Sequence, residues 1–109
     1  MSNIKLVRLV TGEVLVGHVQ DDDQNNPIAL TDIRIEHPFI IGIQPLPDGN
    51  MTVNLVPYLP FSEDSTFDIH FQNILHISNP NKGLADKVAG MIATARSGLL
   101  LPNKPKLLT

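Results

Sequence analysis

The sequence predicts a mainly β protein, a small and strongly bent five-stranded antiparallel barrel followed by a C-terminal α-helix. Short runs rich in β-branched residues alternate with turn residues as far as Ser78. Gly17 interrupts the second run, and glycine there favours a bend or bulge that lets a small sheet curl. Beyond Ser78 the apolar residues recur at helical spacing. Together these patterns predict a curled sheet with a trailing helix.

The first two strands are expected at residues 4–10 and 14–20, where they form a hairpin. Its valines are Val7, Val10, Val14, Val16 and Val19. The turn between the strands, Thr11-Gly12-Glu13, contains the glycine that short hairpin turns favour. A polar loop over residues 21–27 follows, in which Asp and Asn side chains can hydrogen-bond to nearby backbone groups.

The third strand is expected to begin at Ile28 and to continue, despite a break at His37-Pro38, as one kinked strand through residue 43. Pro47-Asp48-Gly49-Asn50 then has the composition of a tight turn, because proline presets φ and Asp-Gly tolerates positive φ. The rest of the β region is expected at residues 52–56, 67–71 and 74–77.

The helix is expected within residues 79–98, with Asn79-Pro80 as its cap and first turn and Ser97-Gly98 at its end. Its apolar stripe consists of Leu84, Val88, Met91, Ile92 and Ala95. Such a stripe covers the barrel of its own chain or packs on a neighbouring subunit, and the first arrangement is favoured. Residues 99–109 form an apolar, Pro-containing tail that is expected to dock against protein. A single domain of barrel (residues 1–78), helix and tail results.

The amino-acid composition excludes several classes of function. The chain of 109 residues contains no cysteine, which excludes disulfides, thiolate nucleophiles and zinc–thiolate sites. It begins without a signal-like segment and contains no apolar run long enough to span a membrane, so we expect a soluble intracellular protein with no membrane partner. The net charge of −3 argues against strong non-specific binding to phosphate backbones.

Patterns that could carry chemistry are weak. Asp21, Asp23 and Asn25 have the spacing of a calcium loop, but Asn26 stands where that loop requires glycine, so a hydrogen-bonded turn is favoured. No two histidines have the helical i, i+4 spacing of a zinc site. No nucleophile–base arrangement is apparent either. We therefore expect no enzyme activity, no metal and no cofactor.

The first hairpin and the loop after it resemble the first motif of the Sm and Sm-like (LSm) protein family. The matching positions are Gly12, Leu15, Gly17, Val19, Asp23, Leu30 and Asp32. The Met-Asn pair of that motif is replaced by Asn26-Pro27, and the preceding aromatic or His by Asn25. Short divergent Sm-like proteins of phage type, with a trailing helix, resemble this chain. The resemblance implies an Sm-like barrel, which a phage gene would place in the host cytoplasm.

The resemblance also implies a site for single-stranded RNA. In the family, RNA contacts the loop after the second strand and a basic pair before the last strand. The corresponding residues here are Asp23, Asn25, Asn26, His70 and Phe71. His and Phe can stack on a base, but the permanent positive charge of the family's pair is missing. Alternation with Phe67 and Ile69 favours Phe71 as a core residue over a base-stacking one.

Self-assembly is the second implication, because Sm-like subunits pair their fourth strand with the fifth strand of a neighbour and close into a ring. The candidate interface residues are Thr52, Val53, Leu55, Ile74, Leu75 and Ile77. Both segments lack the lysines that commonly protect exposed edges. Two functions remain open: a homo-oligomeric ring that binds single-stranded RNA weakly or with altered specificity, or a ring that serves as a protein-interaction or structural module.

Overall fold

The computed structural model describes residues 3–97, which form an antiparallel β-sheet and one C-terminal helix. The elements are β1 (Ile4–Leu9), β2 (Val14–Val19), β3 (Asp32–Pro45), β4 (Met51–Pro57), β5 (Thr66–His70), a 3₁₀ helix (Phe71–Asn73), β6 (Ile74–Ser78) and α1 (Lys82–Ser97). Gly98 and the predicted tail at residues 99–109 lie outside the described residues.

The strands pair in the order β4-β3-β2-β1-β6, and β5 pairs separately with β3. The predicted count of five strands is wrong, because the described residues contain six. Residues 67–70 and 74–77 belong to two strands with different partners, β3 and β1, and the 3₁₀ helix, which includes Phe71, separates them. Hydrogen-bonded pairing among residues 3–97 does not close the sheet into a barrel, so the predicted barrel stays a prediction.

Gly17 lies where β2 changes its pairing with β3. The register shifts between Val16 and His18, as the prediction of a bend or bulge requires. A Cβ atom on Gly17 would lie 3.0 Å from the Glu36 carbonyl oxygen and 3.0 Å from Ile35 Cγ1. Only glycine therefore fits at this crossing without displacing β3.

The long strand β3 carries most of the sheet. It begins at Asp32 rather than at Ile28, because the preceding residues form a turn in which Leu30 is 97% exposed. The kink predicted at His37-Pro38 is present, since His37 has a positive φ of 50°. Residues before the kink pair with β5, and residues after it pair with β4.

Apolar residues form two separate clusters, one on each face of the sheet. The inner cluster consists of Val7, Leu9, Leu15, Ile35 and Ile69. The outer cluster joins the sheet to the helix and consists of Ile4, Val16, Phe39, Val88 and Ile92. Leu15 and Val16 are adjacent in β2, and both are fully buried, one in each cluster. This part of the sheet is therefore covered on both faces.

Helix α1 covers the sheet of its own chain, as the favoured arrangement predicted, by burying Val88 and Ile92. Burying such a side chain stabilises a fold by about 1.5–3 kcal/mol. The predicted cap is wrong: Asn81 Oδ1, rather than a group of Asn79, accepts a hydrogen bond from the Leu84 backbone N–H at 2.9 Å.

Replacing Gly17 tests whether the close crossing of β2 over β3 is required. Gly17→Ala should lower the free energy of unfolding by about 1–3 kcal/mol, because the added methyl group overpacks against β3. The matched control is Gly90→Ala in α1, where a Cβ meets nothing within 4 Å. This control should raise stability by roughly 0.5–1 kcal/mol through helix propensity. Urea unfolding measures both changes, and wild-type stability in Gly17→Ala would contradict the crossing.

Candidate functional site

The loop that precedes β3 is held by its own aspartates. Asp23 Oδ1 accepts a hydrogen bond from the Asn25 backbone N–H at 2.9 Å, and Asp22 Oδ1 accepts one from the Ile28 N–H at 2.7 Å. These contacts agree with the predicted hydrogen-bonded turn. In residues 3–97 no group of three or more His, Cys, Asp or Glu side chains is arranged to hold a metal ion.

Arg34 connects this loop to β5. Its Nη1 donates to the Asn26 carbonyl oxygen at 2.7 Å, while Nε and Nη2 donate to the two carboxylate oxygens of Asp68 at 2.7 and 2.9 Å. The hydrogen bonds from Arg34 hold the pKa of the Asp68 carboxyl below its ordinary value, and the same contacts raise the pKa of Arg34. The two-point contact fixes the guanidinium plane. The sequence analysis did not identify Arg34, since its partner Asp68 is 34 residues away.

The predicted aromatic pair lies at the end of β5. His70 Nδ1 accepts a hydrogen bond from the Gln72 backbone N–H at 3.0 Å, which starts the 3₁₀ helix. Phe71 is 48% exposed, so the favoured prediction that it is a core residue is wrong. The alternation of Phe71 with Ile69 predicted a buried position only if the strand continued to Phe71. Instead, β5 ends at His70, and Phe71 begins the 3₁₀ helix.

Pairing between β3 and β5 places several polar groups on one face of the sheet. Asp32 lies opposite His70, and Arg34 lies opposite Asp68, so all four side chains share the face turned away from the inner cluster. Arg34 also brings Asn26 to this face, whereas Asp23 and Asn25 remain in the exposed loop. The arrangement offers an exposed ring and amide groups, but its cation is already engaged by Asp68.

The candidate interface residues lie on the two strands that end the pairing order. On β4, Val53 is 45% exposed, whereas Leu55 is half-buried against the outer cluster, and Thr52 is also half-buried. On β6, Leu75 is 59% and Ile77 is 42% exposed, whereas Ile74 contacts the inner cluster. Each strand therefore combines side chains committed to the fold with exposed apolar ones.

Glu36 is a buried carboxylate at the centre of a cluster of polar side chains that the sequence analysis missed. This residue is only 9% exposed. Arg96 Nε donates to its Oε2 at 2.9 Å, and Arg96 Nη2 donates to Oε1. His18 Nδ1 lies 3.5 Å from Oε1, and His37 Nε2 lies 3.8 Å from Oε2. The hydrogen bonds from Arg96, together with the two histidines, hold the pKa of Glu36 below its ordinary value, although burial opposes the shift.

A cleft of about 360 Å³ opens beside this cluster, between the kink of β3, the end of β4, the following loop and α1. Its apolar lining consists of Pro38, Phe39, Leu55, Pro57, Tyr58, Leu59, Phe67, Met91 and Ala95. Glu63 and Asp64 contribute the carboxylates of the lining. The Tyr58 and Phe67 rings meet edge to face, with centroids 5.7 Å apart. The sequence did not indicate this cleft, because the wall residues come from distant segments of the chain.

Comparison with models of known protein families gives no match, and comparison with curated proteins gives none either. In the described part of the chain, no helix has the length and apolar character needed to cross a membrane.

The Glu36–Arg96 contact predicts how stability depends on pH. Folding lowers the pKa of Glu36, so its contribution is present above the ordinary value of 4.5 and is lost as pH falls through the lowered pKa. Arg96→Met should remove about 1 kcal/mol of unfolding free energy at neutral pH, since half of the Arg96 side chain is exposed and screened. It should also flatten the pH dependence below 4.5.

Urea unfolding at a series of pH values measures this effect. Arg8→Met removes an exposed cation on β1 and is the control; it should retain the wild-type pH dependence. A profile for Arg96→Met that is parallel to the wild-type profile would show that Arg96 does not set the pKa of Glu36.

Proposed function

We propose that this protein is an Sm-like module that assembles with copies of itself into a ring and acts as a protein-interaction or structural module. One observation carries the proposal: the pairing order among residues 3–97 ends in β4 on one side and β6 on the other. Neither strand contains a charged residue, as their sequences MTVNLVP and ILHIS show. Such edges lack the charged side chains that commonly prevent pairing with another chain.

The barrel of the proposal is supported by the way the chain passes between β5 and β6. These strands pair with β3 and β1, which lie on opposite sides of β2. The three-residue 3₁₀ helix joins them, and its ends are tied to both sides. Phe71 N–H donates to the Thr31 carbonyl oxygen at 2.8 Å, and the Asn73 carbonyl oxygen accepts from Val10 N–H at 2.9 Å. A sheet bridged in this way is expected to be strongly curled.

Ring formation is supported by the difference between the two edges. Because β4 and β6 are different surfaces, a contact between them is head-to-tail, and such contacts close into a ring when the rotation between copies allows. Exposed apolar side chains are available on both strands, including Val53 and Val56 on β4 and Leu75 and Ile77 on β6. Burial of these side chains would add a hydrophobic contribution to backbone pairing.

Binding of single-stranded RNA is the second candidate function, and the exposure of Phe71 favours it. Half-exposed Phe71 follows His70 on the face that also carries Arg34, and exposed Asn25 and Asn26 provide amides. Base stacking on an aromatic ring needs such an accessible side chain. Engagement of Arg34 by Asp68 and the nearby aspartates of the loop oppose phosphate binding. Weak binding of single-stranded RNA is therefore expected. The cytoplasmic location of the protein stays a prediction from the sequence.

Lysines on the two edges test the assembly. The wild-type protein should have a native mass of several times the 12.0 kDa of one chain. Val53→Lys on β4 and Leu75→Lys on β6 should each shift it to that of one chain, because a charge would be buried at the contact. Val10→Lys changes a residue that is 51% exposed in the first hairpin, and this control should still assemble. Native mass spectrometry measures all four proteins, and a monomeric wild type would refute the ring.

Fluorescence anisotropy with U-rich and A-rich oligonucleotides tests the RNA candidate. If RNA stacks on Phe71, Phe71→Ala should weaken binding roughly 5- to 150-fold, the equivalent of one lost stacking contact of about 1–3 kcal/mol. Phe61→Ala is the control, because Phe61 is a more exposed phenylalanine in the loop after β4. The RNA candidate fails if micromolar wild-type protein gives no salt-dependent signal, whereas the module would then remain supported by its native mass.

A further inference from the structure

We propose that the cleft between β3, β4 and α1 is the docking site of the chain's own C-terminal segment, residues 99–109. This segment has the sequence LLLPNKPKLLT and follows the last described residue by two positions. The inference does not depend on ring formation or RNA binding, since every group involved belongs to one copy of the chain.

The walls of the cleft are suited to leucine side chains. Phe39 belongs to the outer cluster, and Leu55 and Met91, which pack against that cluster, are half-buried. Leu59, another lining residue, is 49% exposed. The volume of about 360 Å³ lies within the range of about 300–1,000 Å³ that is usual for ligand pockets. Filling it with apolar side chains would remove apolar surface from water on both partners.

The course of α1 delivers the segment to the cleft. Met91 and Ala95 line the cleft one helical turn apart near the end of the helix, and Ser97 is its last residue. From Ala95 to Ser97 the helix advances only about 3 Å. Each further residue can extend the chain by up to about 3.3–3.6 Å. Leu99, Leu100 and Leu101 therefore begin within reach of the cleft, and no long linker has to be ordered.

Charge adds a second match. The segment contains Lys104 and Lys106 and no acidic residue, whereas Glu63 and Asp64 are the carboxylates of the cleft. Opposite charges of this kind fix the orientation of a docked segment more than they increase its binding affinity. Pro102 and Pro105 also restrict the backbone, which reduces the conformational entropy lost on docking.

Paired cysteines test the contact in the full chain, which has no native cysteine. Ser62→Cys places a thiol in the cleft lining, and Leu100→Cys places its partner in the segment. Under mild oxidation of dilute protein, this pair should form an intramolecular disulfide, which requires Cα atoms less than about 7 Å apart. The control pairs Leu100→Cys with Asp48→Cys at the tip of the β3–β4 hairpin and should cross-link at least about tenfold more slowly.

The gel outcome separates the possible occupants. A cross-linked monomer that forms at a rate independent of protein concentration supports docking within one chain. A cross-linked dimer shows that the segment of a second copy fills the cleft, and equal rates for both pairs show that nothing specific docks; either result overturns the proposal. Lys104→Glu combined with Lys106→Glu should slow the specific cross-link by several-fold at low salt and have less effect at high salt.

Methyl NMR provides a measurement without cysteines. Met91 lines the cleft, and Met51 on the β3–β4 hairpin is an internal control. Replacing the three leucines with Leu99→Ser, Leu100→Ser and Leu101→Ser should shift the Met91 methyl resonance and leave the Met51 resonance in place. Circular dichroism verifies that this variant is folded. An unchanged Met91 resonance in the folded variant would refute docking.

Discussion

The kink of β3 at His37-Pro38, together with its crossing against Gly17, is the constraint on which the rest of the structure depends. Before the kink, Ile33 and Ile35 contact the inner cluster; after it, Phe39 and Ile41 contact the outer cluster. The odd-numbered residues of β3 therefore point to one face of the sheet before the kink and to the other face after it. In this way a single strand contributes side chains to both the inner and the outer cluster. Gly17 accommodates this exchange. The pairing of β2 with β3 shifts its register at Gly17, and because glycine has no side chain, the two strands can approach closely there. Helix α1 packs on the outer cluster that Phe39 joins just after the kink, and the cleft is lined by His37, Pro38 and Phe39.

Two ion pairs hold peripheral segments to this strand. Arg34 ties the aspartate-rich loop to β5, and Glu36 ties the end of α1 to the sheet through Arg96. Because Arg34 and Glu36 are two residues apart in β3, both pairs lie on the same face. The pairing of Arg34 with Asp68 has a functional consequence, since a cation engaged in this way is a weaker partner for phosphate. We therefore propose self-assembly ahead of RNA binding.

Local features of this fold could be predicted from the sequence, whereas features that join distant segments could not. The glycine turns have the positive φ values that their positions require, 99° at Gly12 and 90° at Gly49, and the stripe on α1 is buried through Val88 and Ile92. In contrast, Glu36 and Arg96 are separated by 60 residues, and no pattern in the sequence pairs them. The separation of residues 67–71 from residues 74–77 was visible in the sequence, but the different partners of β5 and β6, β3 and β1, were not, because strand pairing joins distant segments. The RNA-binding residues and the family resemblance remain predictions from the sequence.

Hydrogen–deuterium exchange of the backbone amides as a function of protein concentration tests the central claim most directly, because within residues 3–97 of one copy β4 and β6 each pair with one strand. If copies pair through these edges, amides of β4 and β6 should become protected as concentration rises, while those of β2 should be protected throughout. Exchange in β4 and β6 that does not change across the whole concentration range would contradict edge-to-edge assembly.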